Sequence, residues 1–171
     1  SHGVTRNPSL MNKLTEGPWY YQQVGLGFNY RMTELQAALG ISQLKRLDEF
    51  VAKRHELQKH YDSLLSTCPI ITPHQDKDCY SALHLYPIQI DSARVNKSRR
   101  QVFDELSQCG IGVNVHYIPI HRQPYYKADF SEGDFPVTEN YYKYAISLPL
   151  HTGLTSEQQY LVAKAVIDSL Q

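Results

Sequence analysis

The sequence predicts an α/β fold in which one long amphipathic helix precedes a small sheet with helices packed on one side of it. Three observations lead there. A helix-start signal at Thr33 opens an apolar stripe of helical period reaching Ser66. Behind it, short apolar runs alternate with two more helix starts, one at Asn96 or Ser98 and one at Thr155. The 171 residues suffice for one full domain, since a chain of this size buries about 70% of its unfolded surface.

From Ser1 to Arg31 glycines stand at positions 3, 17, 25 and 27, prolines at 8 and 18, and Trp19 to Val24 is the one plausible strand. The stretch has no evident core of its own and reads as the tail of another domain. Thr33-Glu34-Leu35-Gln36 is a capping box, in which the threonine hydroxyl and the glutamine side chain each satisfy a backbone donor left unpaired at a helix start. Leu35, Leu39, Leu47, Phe50, Val51, Leu57, Tyr61 and Leu64 then recur mostly at steps of three and four, with Lys45, Arg46, Lys53, Glu56 and Lys59 opposite. Unbroken to Ser66 the helix spans on the order of 50 Å, with Gly40 a place for a bend and Pro69 and Pro73 beyond its end.

Leu83 to Ile90 is apolar with Pro87 inside, which suits an edge strand or a bulge because proline has no N–H for the ladder. A helix from Asn96 or Ser98 runs through Leu106 to Cys109, and Gly110 is placed for a left-handed cap. Gly112 to His116 reads as a strand, Pro136 to Tyr144 as a short helix with proline in its first turn, and Ile146 to Leu148 as a strand. Thr155-Ser156-Glu157-Gln158 is a second capping box, and the helix it opens is expected to bury Tyr160, Leu161, Ala165, Val166 and Leu170.

Lysine plus arginine equal aspartate plus glutamate at 17 each, so no long-range field draws nucleic acid or an anionic membrane. No apolar run approaches the roughly 20 residues that cross a bilayer, and no signal-peptide pattern opens the chain; the composition reads as cytoplasmic. Cys68, Cys79 and Cys109 are odd in number and widely spaced, which suggests neither a disulfide framework nor a zinc knuckle. Tyrosine is enriched at 13 copies, rings that suit cores, interfaces and ligand rims alike.

Signatures of nucleotide-binding loops, serine hydrolases and zinc proteases are absent. Two polar stretches stand out. In Gly25-Leu26-Gly27-Phe28-Asn29-Tyr30-Arg31-Met32, glycines let backbone approach a ligand, and the Asn29 amide, Arg31 and a helix start suit phosphate or another anion; read from these residues alone, an ordinary loop is the favoured alternative. In Asn114-Val115-His116-Tyr117-Ile118-Pro119-Ile120-His121, a strand ends in polar tips that suit a cleft. A metal site of His116, His121 and His151 ranks below hydrogen-bonded histidines, since no carboxylate or cysteine sits at ligand spacing. His55 and His60 are most simply solvated.

The string Gly27-Phe28-Asn29-Tyr30-Arg31-Met32-Thr33-Glu34-Leu35-Gln36-Ala37-Ala38, with Gln43-Leu44 after it, is long and specific. Further matches are Ser1-His2-Gly3, His84-Leu85-Tyr86-Pro87-Ile88, Val115-His116-Tyr117 with Pro119-Ile120, and Ile146-Ser147-Leu148-Pro149-Leu150-His151. In these residues, spread over the whole chain, the sequence resembles the DegT/StrS-type family of pyridoxal-phosphate-dependent sugar-nucleotide aminotransferases. The resemblance implies the C-terminal part of a fold-type I transferase: residues 1–32 ending the large cofactor-binding domain, and residues 33–171 forming an α+β small domain with the long connecting helix and a small, mostly antiparallel sheet. It implies a homodimer with sites shared between subunits. Asn29 and Arg31 then lie at the neighbour's cofactor phosphate, Asn29 also reaches the substrate, and Asn114, Val115, His116 and Tyr117 line the sugar-nucleotide site. Within the family the spacings are most similar to members that pass an amino group, from glutamate, to C4 of a UDP-linked 4-keto-6-deoxy-N-acetyl hexose in pseudaminic acid biosynthesis.

One departure from the family pattern is an absence. The chemistry needs a lysine that forms a Schiff base with the cofactor aldehyde, and none of Lys13, Lys45, Lys53, Lys59, Lys77, Lys97, Lys127, Lys143 and Lys164 stands in its expected context. The chain alone is therefore expected to be inactive and not to retain pyridoxal phosphate covalently. The alternative is a non-catalytic α/β module for dimerisation or regulation.

Overall fold

The computed structural model describes residues 2–12, 17–126, 129–131 and 133–171; Ser1, Lys13 and Lys127, named above, lie outside them. The chain divides into two compact units, residues 1–47 and 48–171.

In the first unit the expected strand shortens to β2, Gln22–Gln23, which pairs antiparallel with an unforeseen strand β1, Val4–Thr5, in the register Val4 to Gln23 and Thr5 to Gln22. A 3-10 turn over Pro8–Leu10, capped by the Asn7 side chain, lies between them. The capping box at Thr33 opens helix α1, Glu34–Leu44, with both reciprocal hydrogen bonds formed. Gly40 stays inside this helix; the long helix instead breaks at Lys45 and Arg46, where a tight turn returns the Arg46 amide to the Gln43 carbonyl, and resumes as α2, Leu47–Leu64.

The second unit is built on a three-stranded antiparallel sheet. Strand β4, Tyr86–Ile90, lies between β3, Ile70–Ile71, and β5, Ala145–Leu148. Pro87 therefore sits in the central strand, against the expectation of an edge. The register explains how. Ser147 exchanges both backbone hydrogen bonds with Asn114, so Pro87, opposite Ser147 on the other side, belongs to a non-bonded pair. Its nitrogen points toward β3, which pairs only with Gln89 and Ile90 and has ended before Pro87. The strand expected at Gly112 to His116 is reduced to that single bridge at Asn114.

Helix α3, Arg99–Gln108, starts at the Ser98 capping box and ends in Gly110, whose φ of 76° is one that residues with a Cβ avoid. The Ile111 amide reaches the Leu106 carbonyl and the Gly110 amide the Ser107 carbonyl, so the helix-end carbonyls are satisfied. Helix α4, Pro136–Tyr144, and helix α5, Ser156–Ser169, form as expected.

Leu57 and Tyr61 of α2, Val102 and Leu106 of α3, and Val162 and Val166 of α5 join Tyr86 and Ile88 of β4 and Ile146 and Leu148 of β5 in one buried cluster. Each such side chain contributes about 1.5–3 kcal/mol relative to exposure. Tyr61 and Tyr86 stack with centroids 5.0 Å apart, and their hydroxyls donate to the Pro149 carbonyl and to Asp62. Burial pushes both phenols far above the usual tyrosine range, the Asp62 hydrogen bond adding for Tyr86. The buried face of α5 is rotated from expectation. Gln159, Val162, Ala163 and Val166 are buried, whereas Tyr160 and Leu161 are 57% and 59% exposed. Gln159 turns this face inward: its amide donates to the Leu57 carbonyl and its oxygen meets His60 Nδ1 at 2.7 Å. His60 is thus tied down, and His55 stacks on Tyr80 and meets the Ser81 carbonyl, so neither is simply solvated.

Candidate functional site

The two candidate stretches fall in different units. In the first unit, Gly3 and Gly27 are in backbone contact, and a Cβ added to either would overlap the other's segment. Gly3 also has φ of 71°. The Val24 amide donates to the Gly3 carbonyl and the His2 amide to the Phe28 carbonyl. These glycines therefore clamp the Gly25 to Arg31 segment onto residues 2 and 3, where the sequence suggested close approach to a ligand.

The clamp sets Arg31 at a cleft of about 560 Å³ lined by His2, Val4, Thr5, Arg6, Tyr21 and Arg31. Thr5 pairs with Gln22, and Arg6 and Tyr21 stand one residue beyond that pair on either strand. Asn29 is exposed and is not among the described residues of the lining. Guanidinium, hydroxyl and imidazole groups are donors suited to a phosphate oxyanion. Sequence reasoning missed Arg6, for which an isolated arginine after a two-residue strand offers no signal.

In the second unit the stretch from Asn114 to Tyr117 is anchored by a residue not singled out from sequence. Side chains alternate along β5, so Ile146 and Leu148 enter the core while Ser147 faces the other way. There Ser147 Oγ lies 2.8 Å from His116 Nδ1. The Asn114 side-chain oxygen accepts from the Val115 amide at 2.8 Å, which directs its NH₂ toward His116 Nε2 at 3.5 Å. Since that NH₂ only donates, the neutral tautomer consistent with both contacts carries its proton on Nδ1 and donates to Ser147. Tyr117 packs edge-on against the His116 ring, centroids 4.6 Å apart, and is 69% exposed. Val115 is half-buried. The arrangement offers an exposed phenol beside an oriented imidazole and amide, which suits hydrogen bonding to a polar ligand more than proton transfer.

His121 meets Glu139 at 2.5 Å, and Glu139 also accepts from Arg122. Among the described residues no group of three or more histidine, cysteine, aspartate or glutamate side chains is arranged to hold a metal ion. None of the described helices is long and apolar enough to cross a membrane.

A model of the DegT/DnrJ/EryC1/StrS aminotransferase family matches residues 2–167. The chain belongs to that family. Among its relatives, the spore coat polysaccharide biosynthesis protein SpsC of Bacillus subtilis is 39% identical, over 98% of this chain and 44% of its own length. The UDP-4-amino-4,6-dideoxy-N-acetyl-beta-L-altrosamine transaminase of Campylobacter jejuni is 36% identical over 89% of this chain and 39% of its own. The putative sugar aminotransferase Spr1654 of Streptococcus pneumoniae superposes in its PMP form with a TM-score of 0.85 at 29% identity, over 98% of this chain and 42% of its own; its PLP form gives 0.83 at 27%, over 98% and 40%. The chain thus spans about two fifths of the length of the relatives it matches. The α/β architecture with a small antiparallel sheet is that of the family's solved members.

Proposed function

We propose that this chain is the phosphate- and sugar-binding part of a cytoplasmic, homodimeric, pyridoxal-phosphate-dependent transaminase. That enzyme passes an amino group from glutamate to C4 of a UDP-linked 4-keto-6-deoxy-N-acetyl hexose. Residues 1–32 belong to its cofactor-binding domain and residues 33–171 to its small domain. The observation that carries the reading is the strip around His116, held by Ser147 and Asn114 within a chain of this family. Support for the substrate class comes from the name of the Campylobacter jejuni relative, and for the cofactor from the PLP form of Spr1654.

Pyridoxal phosphate supplies the aldehyde that carries the amino group between donor and acceptor. The donors of the first unit fit its phosphate: Arg31 offers a forked cation and Asn29 a nearby amide, both toward the neighbouring subunit's cofactor. Asn114, the Val115 backbone, His116 and Tyr117 orient the sugar nucleotide by hydrogen bonds. A lysine that bonds covalently to the cofactor needs a desolvated or otherwise activated amine. Among the described lysines, Lys53, Lys97 and Lys164 are ion-paired and Lys45, Lys59, Lys77 and Lys143 are exposed, which supports the reading that these residues bind and do not themselves transaminate.

In the full-length enzyme, Asn29→Ala should raise the apparent Kd for the cofactor. His116→Ala should instead raise that KM about tenfold, the effect of removing one well-placed hydrogen bond, with kcat changed far less. Negligible effects of both changes would remove the functional reading. So would transamination by the 171 residues alone, or a borohydride-trapped cofactor adduct on one of their lysines.

A further inference from the structure

Ser147 does more than hold the His116 ring in place. Its residue is 5% exposed in a strand whose other members, Ala145, Ile146 and Leu148, are apolar, and a buried hydroxyl is costly without a partner. That partner is His116 Nδ1 at 2.8 Å. The backbone fixes the hydroxyl's position, because the Ser147 amide donates to the Asn114 carbonyl at 2.8 Å and the Ser147 carbonyl accepts from the Asn114 amide at 3.3 Å. Asn114 is oriented as well: its side-chain oxygen accepts from the Val115 amide, so its NH₂ group faces His116 Nε2. A proton on Nε2 would meet the protons of that NH₂, whereas a proton on Nδ1 finds the Ser147 oxygen. Both neighbours therefore select one tautomer, and it leaves Nε2 as a hydrogen-bond acceptor. At 3.5 Å the Asn114 contact is at the far limit of a hydrogen bond, so Nε2 keeps capacity for a closer donor.

We propose that Ser147 is a positioning residue that sets what this strip selects. By holding the proton on His116 Nδ1 it makes Nε2 an acceptor, and with the Asn114 NH₂ beside it the pair takes a ligand group that carries a donor next to an acceptor. Neighbouring hydroxyls of a hexose and the imide edge of uracil both have that pattern. An ionised diphosphate, which only accepts, leaves Nε2 unsatisfied and is excluded from this position. The assignment rests on the reading of His116 as a sugar-nucleotide contact, and adds the direction of its hydrogen bond and the residue that determines it.

The tautomer can be read without any ligand. Long-range ¹H–¹⁵N correlation spectra of the histidine-labelled chain, taken at about pH 8.5, above the ordinary histidine pKa of about 6.5, should show His116 in the Nδ1–H form, its signals being those lost in His116→Ala. The Nε2–H form in wild type overturns the proposal. In Ser147→Ala, which removes only an oxygen, the Nε2–H form should appear, and an unchanged tautomer overturns the role of Ser147. Binding is then measured in the full-length enzyme with its cofactor, by calorimetric titration with a UDP-linked N-acetyl hexose and with UDP. Ser147→Ala should weaken the sugar nucleotide about fivefold, the value of one hydrogen bond, and should add nothing in a His116→Ala background. Independent, multiplying effects of the two changes mean that Ser147 supports the fold and not the imidazole, and overturn the proposal. Weakening of the sugar nucleotide alone puts the donor on the hexose, and equal weakening of UDP puts it on the nucleotide; either upholds the proposal. An effect of His116→Ala with none of Ser147→Ala keeps the sugar-nucleotide reading and overturns this one. No effect of His116→Ala on either ligand removes the sugar-nucleotide reading itself, and the selectivity assigned to Ser147 with it.

Discussion

Ser147 orients His116 from the face of β5 that looks away from the core, while its neighbours Ile146 and Leu148 fill that core. A hydroxyl in an otherwise apolar strand was the only trace of this role in the sequence, and it acquires meaning from the register that sets Asn114 beside it. Gly3 and Gly27 make the same point: the Gly25 carbonyl occupies the place of a Cβ on Gly3, and the Gly3 backbone that of a Cβ on Gly27. A third local arrangement yields a prediction. Hydrogen bonds from Arg122 hold the Glu139 carboxyl below its usual range, His121 assisting and desolvation opposing. A carboxyl whose folded value is depressed contributes stability above its unfolded value of about 4.3, and that contribution is lost as pH falls through the lower folded value. Urea unfolding of wild type and Glu139→Gln should therefore differ at pH 7, and the difference should shrink as pH falls below about 4.3 and through the lower folded value. A difference unchanged by pH would refute the ion-pair account.

Capping chemistry placed the helix starts at Thr33 and Thr155 to the residue and narrowed a third to Asn96 or Ser98, of which the structure takes Ser98; each cap hydroxyl accepts from a backbone amide three residues on, and its own amide donates to the side chain there. At Thr155 the hydroxyl accepts from the Gln158 amide at 3.2 Å and the Gln158 oxygen accepts from the Thr155 amide at 3.0 Å. Thr155→Ala should cost about 1 kcal/mol, a fall in Tm of about 2–4 °C for a chain of this size, whereas Thr155→Ser should stay close to wild type. Equal losses in both variants, followed by circular dichroism, would show that the methyl's packing matters and the cap does not. Elements without such local signals were less legible. The break at Lys45 and Arg46 falls between good helix formers, and Pro87 is admitted to a central strand only because β3 is too short to reach it. The buried face of α5 is chosen by Gln159, a polar residue whose partners His60 and the Leu57 carbonyl lie on another helix.

Across the whole molecule, apolar periodicity has two different outcomes. Leu106 of α3 is fully buried in the second unit, and Leu106→Ala should cost about 2–5 kcal/mol. Leu35 and Leu39 of α1 repeat with the same helical spacing but are 84% and 63% exposed, so Leu35→Ser should change the unfolding free energy of this chain by no more than about 0.5 kcal/mol. Denaturant midpoints for the two variants check both, and a large destabilisation in Leu35→Ser would mean that its face is covered. The sequence by itself determined the α/β class, the helix starts at Thr33, Pro136 and Thr155, the Gly110 stop, the strands at Tyr86 and Ile146 and the family, because capping hydrogen bonds, periodicity and a long specific string depend on residues near one another in the chain. Tertiary structure alone decided which apolar faces are buried, that Ser147 holds His116, and that Arg6 shares a cleft with Arg31. Each of these depends on strand register or helix rotation, which bring together residues that local spacing leaves unrelated.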